Sequence, residues 1–596
     1  MFGARFDDIV RGESFVLDDP LYVLETAAVD EVKNIITAAS LASVEGKWVA
    51  GYVTFEATHA FDPDVPLIRS DSSALVWFGV FGSRRRVPIA VHDPESAGSY
   101  AVSQWSPSMS RSTYTKAFDQ VQELVHLGSA DQVTLAFPLR AAFTGDLDVF
   151  YDDLVCAQRP PYASHIWHDE HHILSVSPER LFAVQDGRIT TGTTLGTRPR
   201  GRWIDEDERH RELLVSSSNA RDEHARVVSA VTTSLEGVSV PGSVEASSIF
   251  AMERLRTVWQ ASSTVAAELA PGANLVDVFG ALFPSGSVTG FSRTDSVRII
   301  TATESGPRGV YGGAIGFIPP GDGLSGSSFN VAIRSVEVDD MEGVASFGVG
   351  GTVTQSSDAH REFDLAVAKS EVLRFDVSPL KLVEEIRWDE EYIWRVDHLD
   401  RMELSAAYWS FDFDRDALEI VLDEMAAKLS IPSVVRIVCD AKGHADVTSA
   451  RGEGRWAPGP GPAFDHVTVV LDTEPIDDRN PRLFHSTTDR RPYKARRARH
   501  MSFDDVVFVN RARWVTESTN ANVVFLFDGT WVTPPVSEGL LGGVMRSSLI
   551  EAGTVEERRM SIEQALEADA VALVSAKLGW RPTVLVRQNP GTNGDG

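Results

Sequence analysis

Residues 175–201 read SVSPERLFAVQDGRITTGTTLGTRPRG, and this stretch decides the fold of the larger part of the chain. Asp186-Gly187 is the pair that a two-residue hairpin turn requires, because both central positions need left-handed backbone. Two antiparallel strands are therefore expected on either side of it. The glycines and arginines that follow suit close approach of the backbone to an anion. Taken alone, the stretch fits an anion site or a plain surface hairpin equally.

Upstream, TYTKAFDQVQELVHLG (113–128) has helical spacing and ends at glycine, and it leads into a strand, DQVTLAFPLRAAF (131–143). Nearer the start, a helix is expected over AAVDEVKNIITAASLA (27–42), with short strands in WVAGYVTFEA (48–57) and ALVWFGVF (74–81). No Pro/Gly-rich break long enough to be a linker precedes Phe375. Residues 1–375 are thus expected to form one large α+β unit, with an N-terminal part (1–100) and a catalytic part (101–375). A second unit is expected over 380–590, beginning near Pro379, with ARGEGRWAPGPGP (450–462) connecting its two lobes. The end, QNPGTNGDG (588–596), reads as a loose tail.

The 596 residues exceed what one hydrophobic core serves, and 43% hydrophobic with 24% charged residues is an ordinary globular balance. A formal charge of -29 argues against a nucleic-acid surface, because phosphate binding needs a basic face and the basic clusters here are short. The start, MFGARFDDIV, has no cationic segment followed by an apolar one. No apolar run approaches the ~20 residues that span a bilayer, so no membrane and a cytoplasmic location are expected. Cys156 and Cys439 are the only cysteines, which excludes a disulfide framework and a thiolate zinc cluster. Neither sits in a glycine-framed strand-to-helix turn, so both are expected to be buried thiols.

Further stretches join the hairpin: GSADQVTLAFPLRA (128–141), RDEHARVVSA (221–230), FPSGSVTGFSR (283–293), PRGVYGGAIGFI (307–318), FNVAIRS (329–335) and FGVGGTVTQSSDAHREFDLAVAKS (347–370). Over roughly residues 100–375 they resemble the chorismate-binding enzymes: the anthranilate, aminodeoxychorismate, isochorismate and salicylate synthases. The resemblance implies a β-sandwich with helices. It also implies magnesium, donors for the two carboxylates of chorismate, and a general acid, since a hydroxyl leaves as a nucleophile enters. On the family pattern Glu179 is the acid, and Glu223 and Glu362 hold magnesium as hard oxygen ligands. Thr197 joins the catalytic group, and Gly196, Tyr311, Arg334, Gly348, Gly350, Gly351 and Lys369 line the substrate pocket.

In the family, members that add water carry a lysine base where this chain has Gln132, whereas members that add ammonia generally carry glutamine. Amination is therefore implied. No nucleophile-elbow cysteine with a histidine partner is present, so a separate glutamine amidotransferase subunit is expected to supply ammonia. Several positions depart from the pattern. Leu195 stands where aminodeoxychorismate synthases typically carry a lysine that forms a transient adduct, Gln260 where histidine is common, and Arg293 where lysine is common. SAVTTSLEG (229–237) replaces an Asp and an Arg-Asn-Asp run, and Leu365 replaces a third acid near the metal. Leucine cannot attack carbon, so amination at C4 by another route and the 2-amino isomer of anthranilate-type members both stay open. EHARVV and TLGTRPRG keep isochorismate- or salicylate-type chemistry as an alternative. A non-catalytic chorismate-binding scaffold is opposed by Glu179, Glu223 and Glu362, three acids whose expected burial would be costly without a metal.

In the second unit, RVDHLDRMELSAAYW (395–409), FHSTTDRRPY (484–493), VTESTNANVVF (515–525) and TPPVSEGLLGGVMR (533–546) resemble the aminodeoxychorismate lyases, two-lobed fold-type IV pyridoxal-phosphate (PLP) enzymes. WVAGYVTFEATHAFDP (48–63) also resembles synthase–lyase fusions that make 4-aminobenzoate for folate, which favours the 4-amino product. In such lyases a lysine follows the histidine and holds the cofactor, and here that position is Ser486. A hydroxyl cannot form an imine, so a degenerate lyase site is expected. Arg401, Glu517, Thr519 and Asn522 stand where the family places phosphate, pyridine-nitrogen and backbone contacts. PLP is thus expected to be absent or non-covalent, Lys494 to face elsewhere, and a homodimer to form through this unit.

Overall fold

Strands Arg180–Gln185 and Arg188–Pro199 pair antiparallel about Asp186 (φ 51°) and Gly187 (φ 74°), so the hairpin is present in the structure. The structure is a computed structural model that describes residues 2–9, 11–66, 74–92, 98–452, 456–461 and 467–586, with Leu195 described for its backbone alone. The expected tail, and 453–455 and 462 of the lobe connection, lie outside the described residues. The chain divides into two compact units, Met1–Arg200 with His210–Ser378, and Gly201–Arg209 with Pro379–Gly596. No sequence feature announced that 201–209 folds with the second unit. Its anchor there is Trp203, whose ring stacks on Phe484 at 5.1 Å.

In the first unit, an eleven-stranded sheet among the described residues holds Gln132–Gly145, Val344–Val353, Ser335–Asp339, His171–Ser177 and Phe2–Asp8. A nine-stranded sheet holds the hairpin together with Val258–Glu268, Ser328–Val331, Ala314–Ile318 and Trp48–Val53. The first hundred residues therefore supply strands to both sheets. Phe6, Leu17 and Ile173 from one sheet and Tyr52, Trp77 and Ile315 from the other share one buried cluster, which makes the pair a sandwich. Helices cover the outer faces. Val32–Val44 and Leu275–Leu282 pack on one side, and Arg111–His126, Leu147–Gln158 and Ala359–Ala368 on the other. Arg111–His126 forms because Ser110 accepts the Thr113 N–H as a cap and Tyr114, Phe118, Val121 and Val125 recur on one buried face.

The second unit has two lobes, each with its own core. A four-stranded sheet built on Leu382–Asp389 and Ser433–Cys439 packs against helices Arg395–Trp409 and Arg415–Ala426. An eight-stranded sheet carries Val467–Pro475, Asp505–Val509, Asn522–Phe527 and Ala570–Ser575. Cys439 is buried and Cys156 partly so, and burial pushes both thiols above their usual range, away from nucleophile chemistry. Among the described residues no helix is long and apolar enough to cross a membrane.

Candidate functional site

Glu179 leaves the edge of the hairpin strand with 1% of its surface exposed. Its backbone is fixed from both sides, since the Ser177 hydroxyl accepts its N–H (3.2 Å) and its carbonyl accepts the Val331 N–H (3.1 Å). Hydroxyls cage the carboxyl. Ser287 (2.6 Å) and Ser285 (3.1 Å) donate to Oε1, and Thr194 donates to Oε2. Thr194 stands at the last regular pair before the strand's register shifts between Thr194 and Thr197. Burial pushes the carboxyl above its ordinary range while the three hydroxyls pull it back, leaving it raised. Such a carboxyl is suited to hold and release a proton at a fixed, buried place. Thr194, Ser285 and Ser287 were missed from the sequence, although each lay within a stretch quoted for other residues.

The electrostatic neighbourhood gathers the other expected residues. Tyr311, pushed up to about 12 by burial, feels both Arg334 and Glu179. Lys369 is pushed down to about 8 by burial and by Arg334, with Glu362 and Glu179 opposing. Its Nζ donates to the Gly350 carbonyl (2.7 Å). Arg334, at 5% exposure and φ 54°, donates to the Lys369 carbonyl at 2.5 Å and is itself lowered to about 10 by burial. The glycines make room. A Cβ on Gly348 would lie 2.2 Å from Tyr311 Cγ, and one on Gly351 would lie 3.0 Å from the Glu362 carbonyl. Gly196 has φ 97°, and Thr197 beside it pairs with Gln260.

Burial raises Glu362, with a smaller contribution from the charge of Glu223 and with Lys369 opposing. Burial raises Glu223 too. The expectation of three buried acids needs correction, because only Glu179 is fully buried; the other two are partly buried on helices Ser218–Glu236 and Ala359–Ala368. Among the described residues no group of three or more His, Cys, Asp or Glu could hold a metal alone. Two carboxylates that sense each other's charge are hard oxygen donors of the kind that would suit a magnesium ion. Gln132 is 1% exposed, and neither its Oε1 nor its Nε2 has a partner. Gln260 Nε2 is orphaned in the same way. Arg293 has a plain structural duty, since its guanidinium donates to the carbonyls of Gly280, Ala281 and Phe283 at a helix end. The Leu195 side chain lies outside the described residues, and Leu365 sits partly buried one turn beyond Glu362.

In the second unit a cavity of about 530 Å³ brings together Ser486, Arg401, Glu517, Thr519 and Asn522. Arg401 is held by Glu384 through Nε (2.8 Å) and Nη2 (2.6 Å). Glu517 accepts the Tyr493 hydroxyl (2.8 Å) and the Leu541 N–H (3.2 Å), and burial pushes it up to about 8. Asn522 donates to the Leu541 carbonyl, and Thr519 Oγ1 is buried without a partner. Lys494 is exposed and does not line the cavity. The lysine that does is Lys577, and its ammonium donates to both oxygens of Glu385 at 3.1 Å. These residues do not fit a covalently held PLP: position 486 has no amine, and the cavity amine is tied up as an ion pair.

The family model described as chorismate binding enzyme matches residues 12–374, and the amino-transferase class IV model matches 381–586. The aminodeoxychorismate synthase component 1 of Klebsiella aerogenes is 32% identical over 270 residues, 45% of this chain and 59% of that protein. The anthranilate synthase component 1 of Aquifex aeolicus is 29% identical over 269 residues, 45% of this chain and 53% of that protein. The chain thus spans little more than half the length of these relatives. The solved structure of anthranilate synthase component I from Streptococcus pneumoniae shares the fold at TM-score 0.52 and 18% identity, covering 62% of this chain and 91% of that one. With one family model matching more than half of its length, this chain belongs to the chorismate binding enzymes, and an amino-transferase class IV domain follows in the same sequence.

Proposed function

We propose that the first unit aminates chorismate, replacing the C4 hydroxyl by an amino group to give aminodeoxychorismate for 4-aminobenzoate and folate or a related product. A separate glutamine amidotransferase subunit delivers the ammonia. The observation that carries this reading is Gln132, whose buried carboxamide has two unpartnered polar atoms. A carboxamide is no base for water, but it can both accept from and donate to ammonia.

Glu179, whose carboxyl burial raises above its ordinary range, gives a proton to the departing hydroxyl, which leaves as water while the C–N bond forms. The Thr194, Ser285 and Ser287 hydroxyls then stabilise the carboxylate left behind. Arg334 and Lys369 are the cations for the substrate carboxylates, and Tyr311 packs on the glycine strand beside them. Glu223 and Glu362 would hold magnesium, which supplies charge neutralisation for a bound carboxylate. Attachment to a lyase-like unit favours the 4-amino product over its 2-amino isomer. With Ser486 at its centre, that unit leaves the product unconverted and serves as structure and as a homodimer surface.

The test is chorismate consumption with magnesium at alkaline pH, in the absence of glutamine, across a series of ammonium concentrations. Consumption that rises with ammonium supports the reading. Consumption independent of ammonium, or none at all, removes it.

A further inference from the structure

Three successive backbone amides, Arg308, Gly309 and Val310, lead directly into Tyr311, and all three donate to carboxylates from distant parts of the first unit. Glu56 Oε1 accepts the Arg308 N–H at 2.7 Å and the Gly309 N–H at 3.2 Å, and Glu337 Oε1 accepts the Val310 N–H at 3.2 Å. Gly309 has φ 63°, so the turn is an anion-binding nest, filled here by the protein's own acids. Arg308 locks the far side, with its guanidinium on both oxygens of Glu304 and on the carbonyls of Val288 and Thr134.

Glu56 belongs to the short helical turn Phe55–Ala57 and is 1% exposed. Its second oxygen is buried without a partner, and burial raises the carboxyl. A generic surface turn would not require so costly a group, because an unpartnered buried oxygen is normally selected against. We infer that Glu56 is a positioning residue, which holds the 308–310 nest so that Tyr311 stands against Gly348 and Gly350 in the substrate pocket. The turn Phe55–Ala57, from the first hundred residues, thereby becomes part of the site. The kinetic part of this inference rests on the proposed amination.

The test uses the full chain labelled with 3-fluorotyrosine, the Tyr311 resonance being assigned by its loss in Tyr311→Phe. Glu56→Ala leaves two nest amides unpartnered, so the Tyr311 signal should shift or broaden and kcat/KM for chorismate should fall roughly ten- to hundredfold. Glu56→Gln keeps an acceptor oxygen and should restore the signal and most of the activity. An unmoved Tyr311 signal in folded Glu56→Ala overturns the inference. If that variant does not fold, Glu56→Asp, which retracts the oxygen by one methylene, is read the same way. If wild type does not aminate chorismate, the kinetic arm fails with the functional reading, while the 19F signal still decides the positioning role.

Discussion

Replacement of Glu517 by glutamine should remove a pH dependence of the second unit's stability. Glu517 lies 5% exposed against Tyr493, and its carboxyl is pushed from 4.5 to about 8, first of all by burial. A carboxyl raised in the folded state contributes its full stability below its ordinary value and loses it as pH rises through the raised one. The window here runs from 4.5 to about 8. At ~1.36 kcal/mol per pH unit, the loss across it is roughly 4 to 5 kcal/mol. For a unit of about 230 residues unfolding with ~2.1 cal/mol/K per residue, that is a fall in Tm of roughly 8 to 10 °C between acid and alkaline pH. Glutamine can turn its oxygen to the Leu541 N–H and donate to the Tyr493 hydroxyl, so the variant keeps its contacts without a titrating group. Calorimetric melting of the second unit at a series of pH values measures this. Wild-type and Glu517→Gln curves should converge below about pH 4.5, separate progressively as pH rises from there, and run parallel again above about 8. Parallel curves throughout would refute the argument that burial raises Glu517.

Three other perturbations have defined outcomes. Glu179→Gln should lower kcat by ~10² to 10⁴ with the fold intact, since the hydroxyl cage can rotate to meet an amide; steady-state rates and Tm check it. Gly348→Ala places a methyl 2.2 Å from Tyr311 Cγ, so about 1 to 3 kcal/mol of stability should be lost and KM for chorismate should rise, read by thermal unfolding and initial rates. Ser486→Lys should let the cavity retain PLP as a borohydride-trappable adduct located by mass spectrometry, with none in wild type, because Arg401, Thr519 and Asn522 still line the space.

The hairpin, the helix at Arg111–His126 and the strand Gln132–Gly145 were legible because turn chemistry and periodicity are local signals. Motifs of fixed residue type also pointed to Glu179, Arg334, Gly348 and Gly351, which the fold brings into one neighbourhood with Tyr311, Lys369 and Glu362. The Glu179 cage was not legible, since Ser285 and Ser287 lie more than a hundred residues from it and meet it only when the sheets close. Glu56 and Glu337 escaped for the same reason. A glutamate inside TFEATH or SVEVD carries a weak signal, an acid among apolar neighbours, and only the nest gives it a role. In the second unit the serine at position 486 could be read directly, whereas the capture of Lys577 by Glu385 needed three dimensions.

The central claim concerns which atom enters chorismate and where. The protein should be incubated with chorismate, magnesium and 15N-ammonium at alkaline pH, and the product identified by mass spectrometry and NMR. The account predicts one 15N bonded at C4 of the ring, the enolpyruvyl ether intact, and no 4-aminobenzoate. A product carrying oxygen in place of 15N, as isochorismate or salicylate would, contradicts it.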